Sequence, residues 1–344
     1  MKKLLTGLFC LVALFALASC GAKEYKLGMG VVVSTESSTN AKTAQIDATV
    51  ATVVTENGKI VACRIDAVQN KISVSATGEV TVPTSFKTKM ELGTEYGMST
   101  SPYSSDNNND GIIKEWNEQA KLFEEYVVGK TGAEVEALEL EFVNNHYISK
   151  DADLLAAGCT IQLTDFIAAV VKACNDDQGT TFSTSKDFTL GVAATSFNDG
   201  SASAGETAGK VQVYTDFAAV AVVDGKIVAA LNDAIQPKFT VSTTGELTAS
   251  FAGTKRELKE GYGMSTSPYS SDNNNDGVIK EWFEQSALFS QYVVGMTGSE
   301  VAALATNFVN NHYISTDADL LASGCTIQIT AIQAVVAKSV SNAR

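Results

Sequence analysis

The sequence predicts an α+β chain that uses one arrangement of elements twice. Three observations carry this. The run Tyr-Gly-Met-Ser-Thr-Ser-Pro-Tyr-Ser-Ser-Asp-Asn-Asn-Asn-Asp-Gly stands at Tyr96–Gly111 and again at Tyr262–Gly277. Segments rich in Val, Ile and Thr flank Asn57-Gly58 and Asp224-Gly225, dipeptides of tight hairpin turns. After the first Asn-rich run, Trp116, Ala120, Phe123 and Val127 recur at helical spacing. A length of 344 residues suits two domains of about 150 residues each.

Composition narrows the class. With 45% hydrophobic and 19% charged residues the chain is globular. The net charge is −14, with no basic stripe or arginine cluster, which argues against a nucleic-acid partner.

Residues 1–19 read as a lipoprotein signal peptide. Lys2-Lys3 form the charged start, and Leu4 to Ala18 is shorter than the ~20 residues that span a bilayer. The sequence Leu17-Ala18-Ser19-Cys20-Gly21 is similar to a bacterial lipobox, which implies acylation of Cys20 and a lipidated N-terminus over 20–23. The expected location is extracytoplasmic, held by lipid to a bacterial membrane on the cell surface or periplasmic face.

The first repeat is assigned to 24–175, a linker to 176–186 and the second repeat to 187–344. Trp116 matches Trp282, His146 matches His312 and Thr160 matches Thr326, all at an offset of 166; on the hairpins the offset is 167. Each repeat opens with a polar, poorly patterned segment. A hairpin follows, Gln45–Thr55 turning into Lys59–Ile65, and then a second over Ile72–Ser75 and Glu79–Val82. Ile112–Val128 is expected to be an amphipathic helix stopped by Gly129. Thr131-x-x-Glu134 and Thr297-x-x-Glu300 are capping boxes that start a short helix. Leu154–Leu163 reads as a turn and a short extended piece, with a last helix over Asp165–Cys174.

Beyond Cys10 and Cys20, four cysteines remain. Cys159 and Cys325 are equivalent, whereas Cys63 and Cys174 are both absent from the second repeat, where Ala230 and Val340 stand. Joint presence and joint absence suggest a disulfide between Cys63 and Cys174, or else two buried free thiols.

The stretches Asp151–Leu163 and Asp317–Ile329 carry the chemistry. Each reads Asp-Ala-Asp-Leu-Leu-Ala-(Ala/Ser)-Gly-Cys-Thr-Ile-Gln and precedes a helix rich in Ala and Val. Gly158 and Gly324 permit close backbone approach, and a helix start favours an anion. The segment resembles the Ser-Gly-Ala-Thr flavinylation motif of the FMN-binding domain family, and the hairpins resemble that family's leading strands. The resemblance implies two tandem FMN-binding-type domains, with β-hairpins packed against helices. Covalent FMN would be esterified to Thr160 and Thr326 by a separate flavin transferase. Gly158, Gly324, Cys159 and Cys325 belong to the implied cofactor site, as do Asp153 and Asp319. Three departures stand out. Cysteine replaces the motif's alanine, Ala157 replaces its serine in the first repeat, and the aspartates lie one residue further from the threonine than is usual.

The implied function is an exported flavoprotein, more a carrier than an enzyme, passing electrons between a membrane redox donor and an extracytoplasmic acceptor. One alternative is a reductase acting directly on a small acceptor. Another is a non-redox surface lipoprotein that binds calcium or a partner through its Asn/Asp loops. Asp106, Asn108 and Asp110, with Asp272, Asn274 and Asp276 in the second copy, match positions 1, 3 and 5 of a calcium loop. Position 12 is Asn117 or Phe283 instead of glutamate, and a helix-capping turn is the simpler reading. His146, His312, Trp116, Trp282, Tyr96 and Tyr262 are expected to be structural.

Overall fold

A computed structural model describes residues 21–101, 104–108, 110–267, 270, 272–274 and 277–344. Cys20 and Asp276, named above, lie outside the described residues.

The first half runs β1 (Lys23–Ser34), β2 (Thr43–Glu56), β3 (Lys59–Val74), β4 (Val80–Thr81) and a short α1 (Lys89–Leu92). It continues with α2 (Trp116–Tyr126), α3 (Gly132–Glu136), the hairpin β5 (Leu140–Val143) and β6 (His146–Ser149), α4 (Ala152–Ala156) and α5 (Thr164–Cys174). Then come β7 (Thr180–Thr184), β8 (Thr189–Asn198), β9 (Gly209–Val223), β10 (Lys226–Ile235), β11 (Lys238–Val241), β12 (Leu247–Ser250) and α6 (Lys255–Leu258). The chain closes with α7 (Trp282–Tyr292), α8 (Gly298–Ala302), β13 (Thr306–Val309), β14 (His312–Ser315), α9 (Ala318–Ala322) and α10 (Thr330–Ser341).

The architecture is mixed α+β with antiparallel sheets. One sheet has the order β4-β3-β2-β1-β7; in the other, β9 pairs with β8, β10 and β11, and β12 continues from β11. The two sheets pack face to face through Leu27, Ile46, Val50, Phe217 and Phe239. Outside the first sheet, α2 and α5 cover Ile65, Trp116, Phe123 and Phe166. Outside the second, α7 and α10 cover Val220, Trp282, Phe289 and Val336. Helices therefore sandwich a pair of sheets, and each sheet is buried on both faces.

Full burial explains what the pattern hid. β1 and β8 fall in stretches read as unpatterned, because a strand covered on both faces has no alternation to show. Their glycines are packing residues. A Cβ on Gly28 would lie 2.0 Å from the Ala173 carbonyl oxygen, and one on Gly191 would lie 2.0 Å from that of Ser339. These positions let α5 and α10 settle directly on the strand backbones.

The expected hairpins are present, with Asn57 and Gly58 both at positive φ in the first turn. The capping boxes at Thr131 and Thr297 form as read. The Ile112–Val128 helix is shorter than expected. It begins at Trp116, where the Glu118 carboxylate accepts the Glu115 N–H at 2.8 Å while the Glu115 carboxylate accepts the Met98 and Ser99 N–H groups. The last helix begins at Thr164, and no side chain caps it. The stretch Leu154–Leu163 contains the end of α4 and a turn, with no strand.

Two expectations are corrected. The 176–186 stretch is not a free linker: its β7 pairs antiparallel with β1 and completes the first sheet. The Asp176 side chain is 6% exposed there and takes both contacts from Arg256 Nη2 at 3.1 Å, as well as the Met29 N–H at 3.0 Å. Cys63 and Cys174 are both free. Cys63 is fully buried beneath α2 and α5, and Cys174 packs against the same cluster. Both act as small apolar residues, so their joint presence reflects one packing site.

Candidate functional site

Each Gly-Cys-Thr stretch forms a tight turn built by segments far apart in sequence. It starts at a cap. The Asp151 carboxylate accepts the N–H groups of Asp153 and Leu154 at the start of α4, and Asp317 does the same for α9. The Leu154 N–H, followed by the Tyr126 hydroxyl, holds the Asp151 carboxyl below its usual range. Gly158 and Gly324 then take φ of +92° and +95°, which ends the helix and reverses the chain. A Cβ on either would meet a lysine stem, Lys114 Cε at 2.5 Å or Lys280 Cε at 2.4 Å. A cationic side chain therefore lies across each turn.

The threonine that follows is held on its backbone. Thr160 donates its N–H to Gln119 Oε1 at 2.7 Å, and Thr326 donates to Gln285 Oε1 at the same distance. The hydroxyls lie 3.5 and 3.4 Å from those same oxygens, at the outer limit for a hydrogen bond. Both threonines are buried, 6% and 7% exposed.

The Asn-rich loop docks on this turn. Asn107 Nδ2 donates to the Thr160 carbonyl at 3.0 Å and Asn108 Nδ2 to the Leu155 carbonyl at 3.0 Å. Asn273 and Asn274 repeat both bonds at 3.1 Å. Asn144 and Asn310, in the turns of the β5–β6 and β13–β14 hairpins, clamp the same loops from outside. Two motifs that read as separate in sequence thus form one structure. Asn108 and Asn274 act in it as amide donors to the turn.

Other expected site residues lie elsewhere. Asp153 and Asp319 are exposed on the first turns of α4 and α9, away from the buried threonines. The capping aspartates two residues earlier shape the turn. Cys159 and Cys325 are buried, which pushes their thiols up to about 12, so both stay protonated and act by packing. Asp106 accepts the N–H groups of Asp110 and Gly111, and Asp110 accepts those of Ile112 and Asn108 Nδ2. Asp272 likewise accepts the Gly277 N–H. These bonds describe a self-capped turn. Among the described residues no cluster of three or more His, Cys, Asp or Glu is placed to hold a metal.

A cleft of about 320 Å³ opens beside the second turn. It is lined by the residues directly after Thr326, Ile327 and Gln328, and by Trp282, Tyr262, Tyr214 and His312. Trp282 is buried as expected of a core residue, yet its ring also faces Lys255. His312 Nδ1 lies 2.7 Å from the Asn310 carbonyl oxygen, which orients the ring.

Sequence reasoning passed over the residues that organise the site. Gln119 and Gln285 stand in repeated Trp-x-Glu-Gln stretches, while Lys89 and Lys255 stand in repeated Thr-Lys-x-Glu-Leu stretches. Both signals lie outside the long identical run, and neither carries a known motif. No family model matches the chain, and no curated protein or solved structure matches it.

Proposed function

We propose that the chain is a lipid-anchored, extracytoplasmic flavoprotein with two FMN-binding-type domains, carrying covalent FMN on Thr160 and Thr326 and shuttling electrons between membrane-bound and external partners. The observation that carries this reading is the turn geometry. Gln119 and Gln285 hold the threonine backbones firmly, while the hydroxyls have only long contacts. The hydroxyl is thus the group with bonding capacity to spare.

The surroundings suit a phosphate ester. Lys114 and Lys280 lie across the adjoining glycines. Four residues on, α5 and α10 begin with no side-chain cap on their first N–H groups, and such helix starts attract anions. Because both threonines are buried, the transferase acts before the Asn-rich loop closes over the turn. When bound, the flavin supplies the redox chemistry; the chain holds it and sets its surroundings. Outside the cytoplasm a dissociated cofactor is lost by dilution, and an ester tether keeps it at high effective concentration.

The test is co-expression with a flavin transferase, followed by fluorescence of the denatured chain on a gel. A fluorescent band that weakens in either Thr160→Ala or Thr326→Ala and vanishes in the double variant is expected. A dark wild-type band, with a known substrate labelled in the same cells, sinks the proposal.

A further inference from the structure

The cleft beside the second turn differs in one feature from the equivalent place in the first half. Lys255 is 5% exposed, and its ammonium lies 4.4 Å from the ring centre of Tyr214, 4.5 Å from that of Tyr262 and 5.3 Å from that of Trp282. All three are within cation–π range. It donates to Tyr214 Oη at 2.6 Å. An ammonium has three donors, so this bond leaves donors for another acceptor.

Asp216, on β9, lines the same cleft and is 2% exposed. Its Oδ2 has no hydrogen-bond partner among the described residues. A buried carboxylate oxygen left without a donor is costly, and burial pushes this carboxyl above its ordinary range. A ligand that donates to it would relieve that cost.

The acceptor of Asp216 and the donor of Lys255 face one cleft, so together they match a ring edge that presents an N–H beside a C=O. The walls suit a flat ring: Phe197 stacks on Tyr214 at 5.1 Å and 17°, and Ile327 and Ile332 line the cleft as well. A volume of about 320 Å³ lies at the small end of ligand sites. In the first half, Thr49 takes the place of Asp216 and Asp47 that of Tyr214 at the hairpin offset. Lys89 there lies 4.9 Å from the ring centre of Tyr96 and 5.4 Å from that of Trp116, with no third ring beside it among the described residues.

We infer that the second-half cleft is a binding site for a planar nitrogen heterocycle of flavin size, with a ring N–H donating to Asp216 and a ring carbonyl accepting from the Lys255 ammonium. The inference deepens the flavin reading by giving one ring its place. It makes a separate claim, however: the cleft holds the ring without the ester.

Riboflavin, which lacks the phosphate, tests it. The full chain is made without a transferase and with Trp116→Phe and Thr326→Ala, which leaves Trp282 as the single tryptophan and removes the proposed tether. Saturable quenching of Trp282 by riboflavin is expected, weakened about ten-fold in Asp216→Asn through loss of a bond to a charged group. An unchanged melting curve shows that this variant folds. If it does not fold, Lys255→Met serves in its place with the same expected loss. Absence of saturable quenching, or equal binding by the folded variants, overturns the ring site even if the threonines carry flavin. Binding here combined with no adduct on either threonine retains the ring site and removes the tether.

Discussion

Gln119 and Thr160 lie 41 residues apart, and a 2.7 Å bond from the Thr160 N–H to Gln119 Oε1 joins them in the buried floor of the turn. Gln285 and Thr326 repeat the bond at the same length and separation. The Gln119 amide nitrogen donates in turn to the Lys114 carbonyl at 2.7 Å, so the side chain is fixed at both ends. Truncation orphans a buried N–H. Gln119→Ala should therefore lower stability by about 1–3 kcal/mol in chemical denaturation. Gln119→Glu keeps the acceptor but places a carboxylate beside the hydroxyl. It should reduce flavin loading more than it reduces stability; equal loading in Gln119→Glu and wild type would contradict a phosphate at that hydroxyl.

Gly158 and Gly324 should not accept a side chain. Positive φ and the lysine stem act together, so Gly158→Ala is expected to cost about 1 kcal/mol or more and to displace Lys114. The turn at Thr326 should be unaffected. Comparing flavin loading at the two threonines within one chain provides an internal control.

The buried pair Asp176–Arg256 joins the inter-repeat stretch to the second half, with side chains 6% and 8% exposed. Asp176→Ala leaves Arg256 without its hydrogen-bonded carboxylate, with Asp233 as a remaining nearby charge, and should cost about 3 kcal/mol. Because the two sheets share one core, Trp116 and Trp282 should report the same unfolding midpoint when each is the single tryptophan. Two separate midpoints would show that the halves unfold independently.

The contribution of Asp66 and Asp233 to stability should fall as pH rises from about 4 to 6. Burial pushes the Asp66 carboxyl up to about 6, against donors on Thr88, Ala67 and Met90 that pull it down. Burial pushes Asp233 up to about 6 as well, with Arg256 the largest opposing influence. A raised folded value means that the folded chain holds the proton more tightly. The contribution is fully present below the unfolded value of 3.8 and is lost as pH passes through about 6. A shift of this size is worth roughly 3 kcal/mol per group. Asp66→Asn keeps an acceptor oxygen for the Ala67 and Met90 N–H groups and should flatten the slope of denaturation midpoint against pH. An unchanged slope would remove Asp66 as its source.

Much of the fold was legible where local chemistry decides it. Asn57-Gly58 and the Thr131 capping box name their own conformations. The Asn144-Asn145 and Asn310-Asn311 turns, all four residues at positive φ, were not read, because the four-residue strands beside them carry too little pattern. β1, β7 and β8 were hidden for different reasons. Burial on both faces removes alternation from β1 and β8, and β7 is polar because it lies at a sheet edge beside β1. At the site, glycine and threonine could be read from their motif, whereas Gln119 could not. Its role depends on α2 crossing the turn, which no local pattern encodes. The cap at Asp151 went unread because Asp151 and Asp153 both suit a helix start, and the structure places Asp151 at the N-cap of α4.

The bond to each threonine is settled most directly by intact mass of the chain expressed with an active flavin transferase. Two FMN adducts are expected, reduced to one in either Thr160→Ala or Thr326→Ala and to none in the double variant. An unmodified wild-type mass, obtained while the transferase labels a known substrate in the same cells, would contradict the flavin-carrier reading outright.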